Sequence, residues 1–371
     1  MSGFIYQKQD WPSFFWNHER LLTILGKVRN LQGRIIGRME SLGFELRSEA
    51  TLEALTREIL KSTEIEGEIL NPNQVRSSIA RRLGINLAGL VPSDRNVDGV
   101  VDMMIDAVHN FDQPLTEARL LDWHYSLFPT GRSGMYKIIV GAWRDDSTGP
   151  MQVVSGPAER ERVHFQAPAA TQVPSEMAAF IKWINHERSI DPVIKAGIAH
   201  LWFVTIHPFE DGNGRIGRAV ADMLLTRADG VSQRYYSMSS QIRMEREAYY
   251  KQLEFAQRGT LDITDWLEWF LACLLNALRS SEEILSQVML KHKFWTKWAQ
   301  VSLNDRQRLM LNKLLDGFKG KLNTSKWAKI AKCSPDTALR DIQDLLKKGI
   351  LIKESAGGRS TSYWLSGESE G

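Results

Sequence analysis

The chain has 371 residues, enough for two or three globular units at about 150 residues each. Its 43% hydrophobic and 25% charged residues, with 12 Pro and 27 Gly, exclude disordered, collagen-like and low-complexity classes. The net charge of +3 hides an asymmetry: residues 287–371 hold 16 Lys/Arg against 8 Asp/Glu, a local +8, while the first 286 hold 31 against 36, or −5. A basic end of this kind raises the question of nucleic-acid contact.

In chain order, apolar residues recur at helical spacing from His18 to Leu42 (Leu21, Ile24, Leu25, Val28, Leu31, Ile35, Ile36, Met39), with Gly26, Gly33 and Gly37 weakening that helix. A second helix is predicted from Thr51 to about Leu70, stopped by Asn71-Pro72-Asn73. Further helices are expected at Val97–Phe111, Glu117–Leu127, Pro174–Arg188, Pro192–Ile206, Gly214–Ala228 and Glu245–Arg258. Between Gly131 and Pro168 the segments MYKIIVGAW, MQVVSG and RVHFQAP are short and β-branched or aromatic, which predicts hairpins, the first two segments being joined by the turn formers at residues 145–150.

The last 70 or so residues read as a separate small unit. Helices are predicted at Asn304–Phe318 and Ser325–Lys332, and Ser334-Pro335 is an N-cap and N1 proline for a third that runs to Lys348. ILIKES, AGGRS and TSYWL then read as strand, turn, strand. Three helices followed by a hairpin resemble a winged helix-turn-helix domain, which implies either DNA or RNA contact or a protein-interaction module.

Two cysteines, Cys273 and Cys333, support neither a disulfide framework nor a thiolate metal site, which fits a reducing cytoplasm. The amino terminus lacks a basic segment followed by an apolar core. The most apolar stretch, Trp266–Leu278, falls short of about 20 residues and is broken by Glu268 and Asn276. The expectation is a cytoplasmic protein with no membrane span.

Chemistry concentrates in His207-Pro208-Phe209-Glu210-Asp211-Gly212-Asn213-Gly214-Arg215-Ile216-Gly217-Arg218. Pro208 closes one helix and Gly214 opens the next, so the amides of Gly212, Asn213 and Gly214 are expected at a helix amino terminus, which favours anions. The glycines let a phosphate approach the backbone closely. Arg215 and Arg218, three apart, share a helix face and present two planar cations. Asp211 is a hard oxygen ligand suited to Mg²⁺, and His207 suits a general base. The embedded Gly212-x-Gly214-x-x-Gly217 is formally a dinucleotide fingerprint, but the preceding LWFVTI continues a helix capped at Asp191-Pro192 rather than a strand. His200 and His207 are roughly 10 Å apart along a helix, too far to share one metal.

The segment resembles the Fic family motif HxFx(D/E)GNGRxxR at every defined position, and the likeness extends over roughly Arg119 to Ala272. The resemblance implies a mainly α fold: a Fic-type helical core with a small β-hairpin flap at Met151–Pro168, followed here by the winged helix-turn-helix. It implies domains at 1–90 (a helical extension with an inhibitory helix), 91–285 (catalytic core) and 300–371. It implies transfer of AMP from ATP to a Ser, Thr or Tyr hydroxyl of a protein, with His207 as base and Asp211 as Mg²⁺ ligand. Gly212, Asn213 and Gly214 would cradle the α- and β-phosphates, Arg215 the β- and Arg218 the γ-phosphate, with Ile216 and Gly217 inside the same nucleotide-binding segment. Tyr249 and Gln257 match positions near the adenine, where the family often has Asn in place of Gln257. Val154, Ser155 and Gly156 of the flap would cover the nucleotide and align the target by strand addition. Ser62-Thr63-Glu64-Ile65-Glu66-Gly67 matches the family's inhibitory pattern (S/T)xxxE(G/N), which implies that Glu66 pairs with Arg218 and blocks the γ-phosphate site. Candidate partners are a protein substrate, the chain itself included, DNA through the C-terminal domain, and a second copy in a homodimer. The alternative reading is a nucleic-acid-binding regulator whose Fic unit senses nucleotide or uses another phosphate-containing donor.

Overall fold

In a computed structural model, residues 3–41, 43–85, 90–147, 149–156, 162–315, 318, 320–354 and 361–366 are described. They divide into two compact units, Met1–Ser281 and Glu282–Gly371. The chain is mainly helical, and among the described residues the strands form three antiparallel two-stranded hairpins. No helix among the described residues is long and apolar enough to cross a membrane.

In the first unit the helices are α1 (His18–Glu40), α2 (Phe44–Ile65), α3 (Pro72–Arg82), α4 (Arg95–His109), α5 (Glu117–Leu127), α6 (Val173–His186), α7 (Pro192–Ile206), α8 (Asn213–Asp229), α9 (Met238–Met244) and α10 (Arg246–Arg258), with α11 (Thr264–Lys297) running on past its end. Local chemistry starts most of them. Asn17, Asn71, Asp94, Thr116, Asp191 and Ser237 each accept backbone N–H bonds as N-caps. The core forms around α7, buried from Val193 to Ile206, packed along α8, which is buried from Arg215 to Thr226. Helices α1 and α4 cover α8, α6 packs on α7, and α2 lies against α9 and α3.

The second unit consists of α12 (Asp305–Leu315), α13 (Thr324–Ile330), α14 (Pro335–Lys347) and a hairpin of Leu351–Lys353 with Tyr363–Leu365. Ser334 caps α14 through Thr337 N, with Pro335 at N1 as predicted. Met310, Leu311, Trp327, Ala338, Ile342, Leu345 and Leu351 form its core. The order of helices and strands agrees with the sequence reading, while the AGGRS turn lies outside the described residues.

Several expectations need correction. Helix α2 begins at Phe44, seven residues before Thr51, and ends at Ile65 with Glu66 as C-cap and Gly67 at φ 89°. Asn71-Pro72 starts a helix rather than stopping one: Asn71 accepts from Asn73 N and Gln74 N and Pro72 opens α3, which the sequence pattern does not predict. Helices α9 and α11 were also not anticipated. MYKIIVGAW forms no hairpin with MQVVSG. Only Tyr136–Lys137 of it is strand (β2), paired with Arg132–Ser133 (β1). MQVVSG and RVHFQAP pair with each other instead, as β3 (Gln152–Ser155) and β4 (Arg162–Gln166).

Two glycines separate propensity from packing. A Cβ on Gly99 of α4 would stand 1.8 Å from the Ser126 carbonyl oxygen of α5, whereas one on Gly26 of α1 would meet nothing within 4 Å. Gly99→Ala is expected to destabilise the protein by about 1–3 kcal/mol or more and Gly26→Ala to stabilise it by about 0.5–1 kcal/mol. Urea unfolding of both variants checks the opposite signs.

Candidate functional site

Helix α7 ends at His207, whose backbone is left-handed at φ 53°, an uncommon conformation for a residue with a side chain. The chain crosses to α8 through a loop fastened from several directions. Arg144, buried, donates from Nε to the His207 carbonyl at 2.7 Å and from Nη2 to the Pro168 carbonyl at 2.5 Å, while its amide donates to the Pro208 carbonyl at 2.9 Å. Asn213 closes the loop on itself, its Oδ1 accepting from Phe209 N at 3.0 Å and its Nδ2 donating to Phe209 O at 2.8 Å. The Phe209 ring stacks on His124 at 4.0 Å. His124 accepts from Gly141 N at Nδ1, so its Nε2 carries the proton that it donates to the Asp211 carbonyl. Arg144 and His124 bear on the loop from 63 and 87 residues away, and no local pattern marks either of them in the sequence.

His207 Nδ1 lies 3.1 Å from the Val204 carbonyl, which only accepts, so Nδ1 carries the hydrogen and Nε2 keeps its lone pair. Burial pushes its pKa from the ordinary 6.5 down to about 4, the nearby Arg144 cation adding to the effect against the Val204 bond. The ring is therefore neutral near pH 7 and competent to take a proton.

Helix α8 begins at Asn213 after Gly212, at φ 84°, where a Cβ would meet the Phe128 ring at 2.9 Å. Gly212 N donates to Asp211 Oδ1, so of the three amides expected to cradle phosphates, those of Asn213 and Gly214 are the ones left without a partner inside the helix. The Asn213 side chain is committed to the loop. The Glu66 carboxylate lies against this helix end, where a Cβ on Gly214 would stand 2.3 Å from Glu66 Oε1. Glu66 Oε1 is also 2.7 Å from Arg218 Nη2, and Arg218 donates to Ser62 Oγ at 2.9 Å and to the Ser62 carbonyl at 2.8 Å. Despite a burial that opposes charge, the Glu66 carboxylate holds the Arg218 guanidinium above its ordinary pKa.

Arg215 has a counterpart that the sequence did not suggest. Glu68 Oε2 sits 3.1 Å from its Nη1, and the guanidinium lies 5.0 Å from the centre of the Phe128 ring. The segment after α2 thus sets one carboxylate on each arginine of the motif. Arg215 Nε and Arg218 Nη1 are buried and lack a hydrogen-bond partner among the described residues. Such orphaned cationic donors beside a helix amino terminus suit an anion with several oxygens, as a polyphosphate has. The turn itself is tied down by the Arg243–Glu64 pair at 3.0 Å and by Arg246 Nε, which donates to the Ile65 carbonyl at 2.9 Å.

These residues open on a cavity of about 600 Å³. His207, Asp211, Asn213, Gly214, Glu66, Tyr249, Gln257, Val154 and Ser155 all line it, as do Glu210, Arg246 and Tyr250, which the sequence reading did not single out. Tyr249 is buried and its hydroxyl bonds His200 Nε2 at 2.9 Å, and Gln257 Nε2 donates to the Val204 carbonyl at 3.3 Å. Arg215 and Arg218 stand behind their carboxylates rather than in the lining. Gly156, at φ 100°, follows β3 and is not in the lining. Ile216 and Gly217, expected in the nucleotide-binding segment, turn away from the cavity. Ile216 is fully buried, and Gly217 is where α8 meets α7, with room for a Cβ only 2.9 Å from Val204 Cγ1. Helical geometry explains this, since positions 216 and 217 fall on the core side when 215 and 218 face the loop.

For a metal, no cluster of three or more His, Cys, Asp or Glu exists among the described residues. Asp211 is a single carboxylate, 43% exposed, with Oδ2 bonded by Ser133 Oγ. One such carboxylate fits Mg²⁺ that arrives with phosphates and waters completing its shell, and does not fit a resident metal centre.

Three buried histidines make stability depend on pH. Burial is the largest cause in each case and lowers His124 to about 4, His200 to about 3 and His207 to about 4, from 6.5. Folded pKa values below the unfolded one mean that the unfolded chain binds more protons as pH falls below 6.5. Stability is full above that value and is lost progressively towards pH 4. Urea unfolding at pH 7 and pH 5 is expected to show this loss, with a smaller difference in His200→Gln.

A family model described as "Fic/DOC family" matches residues 114–225, and one described as "Domain of unknown function (DUF4172)" matches residues 4–85. Among curated relatives, a probable protein adenylyltransferase of Aquifex aeolicus is 31% identical over 103 residues, covering 28% of this chain and 30% of the relative. Protein adenylyltransferase Fic of Drosophila melanogaster is 36% identical over 99 residues, 26% of this chain and 18% of that protein. The chain thus spans less than a third of the length of these relatives. A solved structure of a Fic family protein from Desulfovibrio desulfuricans aligns with a TM-score of 0.55 at 21% identity, over 96% of this chain and 98% of that one. A Fic domain containing signaling protein from Bacteroides thetaiotaomicron aligns with a TM-score of 0.53 at 20% identity, over 70% and 97%. These two likenesses are of fold.

Proposed function

We propose that this chain, whose residues 114–225 match the Fic/DOC family model, transfers AMP from ATP to a hydroxyl of a protein, held in check by its own Glu66. One observation carries the reading: a neutral His207 with a free Nε2 faces the same cavity as a helix amino terminus whose two buried arginines are neutralised by carboxylates of the chain itself. The relatives named protein adenylyltransferase support the reaction class.

In this mechanism the acceptor hydroxyl oxygen attacks the α-phosphorus, its proton passes to His207 Nε2, and pyrophosphate leaves. The amides of Asn213 and Gly214 bind phosphate oxygens, and Arg215 and Arg218 take up the β- and γ-phosphate charge once Glu68 and Glu66 release them. Asp211 would hold Mg²⁺, which supplies neutralisation of phosphate charge. Tyr249 and Gln257 would border the adenine, and Val154 and Ser155 of the flap would close over the nucleotide. Positioning and fixed charge do most of this work, because little covalent chemistry falls to the protein.

Glu66 gives a physical account of inhibition. A carboxylate 2.7 Å from Arg218 and packed on Gly214 occupies both the cation and the space a phosphate needs. Glu66→Gly is expected to raise incorporation of AMP from radiolabelled ATP into protein several-fold or more. In that background His207→Ala should lower it by about 10²–10⁴-fold while ATP binding by calorimetry persists. Equal incorporation by wild type and Glu66→Gly would remove the inhibitory role.

For residues 300–371 we propose contact with nucleic acid through the α13–α14 region, supported by the local +8 and by exposed Lys326, Lys329, Lys332 and Arg340. Fluorescence anisotropy with a labelled duplex should show affinity that falls steeply as salt rises from about 50 to 200 mM, and that weakens when Lys329 and Lys332 are both changed to Glu. Affinity indifferent to both would argue for a protein-interaction module.

A further inference from the structure

The wall of the cavity formed by β3, β4 and α10 contains a second hydrogen-bonded constellation. Ser155 Oγ on β3 lies 2.6 Å from His164 Nε2 on β4, and His164 Nδ1 lies 2.7 Å from Glu254 Oε2 on α10. All three residues line the cavity that His207 faces. The Glu254 carboxyl is held below the usual carboxylate range: burial works against this, and the bonds from His164 and Arg162 outweigh it. An ionised Glu254 accepts, so His164 donates from Nδ1 and in its neutral form turns an unprotonated Nε2 to the serine hydroxyl.

The backbone is built around this contact. Gln152 pairs with Gln166 and Val153 with Phe165, but Val154 then pairs with Val163 and Ser155 with Arg162, leaving His164 as the extra residue of a β-bulge. Regular pairing continued from Gln152 would set His164 opposite Val154, on the face away from Ser155. The bulge releases His164 from that alternation so that it reaches Ser155 on one side and Glu254 on the other. Arg258 secures the geometry, donating from Nε to the His164 carbonyl at 3.0 Å and from Nη2 to the Val163 carbonyl at 2.9 Å. Arg162 at 3.0 Å and Arg258 at 3.4 Å are the cations that face Glu254.

We propose that Ser155, activated by His164 and Glu254, is a second nucleophile of this cavity and the chain's own acceptor of a nucleotidyl group. The acceptor role rests on the transferase reading above, and the activated hydroxyl does not. In the transfer step Ser155 Oγ bonds to the α-phosphorus of ATP, its proton moves to His164 Nε2, the bond from the α-phosphorus to the bridging oxygen breaks, and pyrophosphate departs. Glu254 stabilises the imidazolium that forms, the division of labour seen wherever a serine, a histidine and a carboxylate act in line. A nucleotidyl group on the flap fills the mouth of the cavity and denies it to other acceptors.

Two arms test this on the full chain. Without nucleotide, phenylmethanesulfonyl fluoride is expected to sulfonylate Ser155, read by mass spectrometry of the peptide that spans residues 152–166, and His164→Ala or Glu254→Gln should slow this at least tenfold with unchanged circular dichroism. Equal rates in wild type and His164→Ala would overturn the activated nucleophile, since a bond that served only to hold the flap would leave sulfonylation slow in both. With ATP and Mg²⁺ in the Glu66→Gly background, AMP is expected on the same peptide and is lost in Ser155→Ala. AMP confined to other residues or to other proteins would overturn the acceptor role and leave the transferase reading standing. AMP on nothing at all, with sulfonylation of Ser155 intact, would refute the transferase reading and the acceptor role together.

Discussion

Burial of the Arg218 guanidinium is the constraint on which the site depends. A cation with 2% of its side chain exposed must have an anion beside it, because an uncompensated charge in that position costs several kcal/mol. Ser62 satisfies two of its hydrogen-bond directions, Glu66 supplies the charge, and Nη1 has no hydrogen-bond partner among the described residues. Arg215 repeats the arrangement with Glu68 and Phe128. An anion hole of this kind selects for occupancy by some anion, and in the function proposed above the acidic turn after α2 and a polyphosphate would be rivals for the same place. Regulation by competition then needs no distant conformational relay, only a turn that can yield.

The turn is held by contacts of its own. Its approach helix is anchored by Glu58, which accepts from Ser237 Oγ and Ser239 N, and its end is gripped by Arg243 and Arg246. Beyond it, the loop between α7 and α8 is defined by buried polar bonds from Arg144, Asn213 and His124 together with the buried Phe209 ring. Those bonds hold His207 in a left-handed conformation that an unsupported loop would relax. The Val204 carbonyl fixes the hydrogen on Nδ1 and leaves Nε2 able to accept a proton.

The flap joins the same scheme from the other side. Its bulge and the Arg258 clamp place a serine and a histidine in contact where ordinary strand alternation would part them. One cavity is therefore bordered by two histidines, each donating from Nδ1 to a different partner, Val204 for His207 and Glu254 for His164.

Much of this molecule was legible in its sequence wherever the cause is local. Helical periodicity and caps such as Asn17, Thr116, Asp191 and Ser334 act within a few residues, so α1, α5, α7 and α14 fall close to where pattern reading puts them. The Gly-rich loop between α7 and α8 likewise declares its chemistry, because residue types and spacing decide what a helix amino terminus can bind. Where a Pro can either stop one helix or start the next, as at Pro72, local pattern is ambiguous and packing chooses. Tertiary structure alone decided the rest: Glu68 on an arginine 147 residues away, Arg144 beneath the loop, Ile216 and Gly217 turned into the α7–α8 contact, and the bulge that brings His164 to Ser155. Each of these depends on which distant segments meet, and the free energy of such meetings lies in burial and pairing between segments that no local window contains.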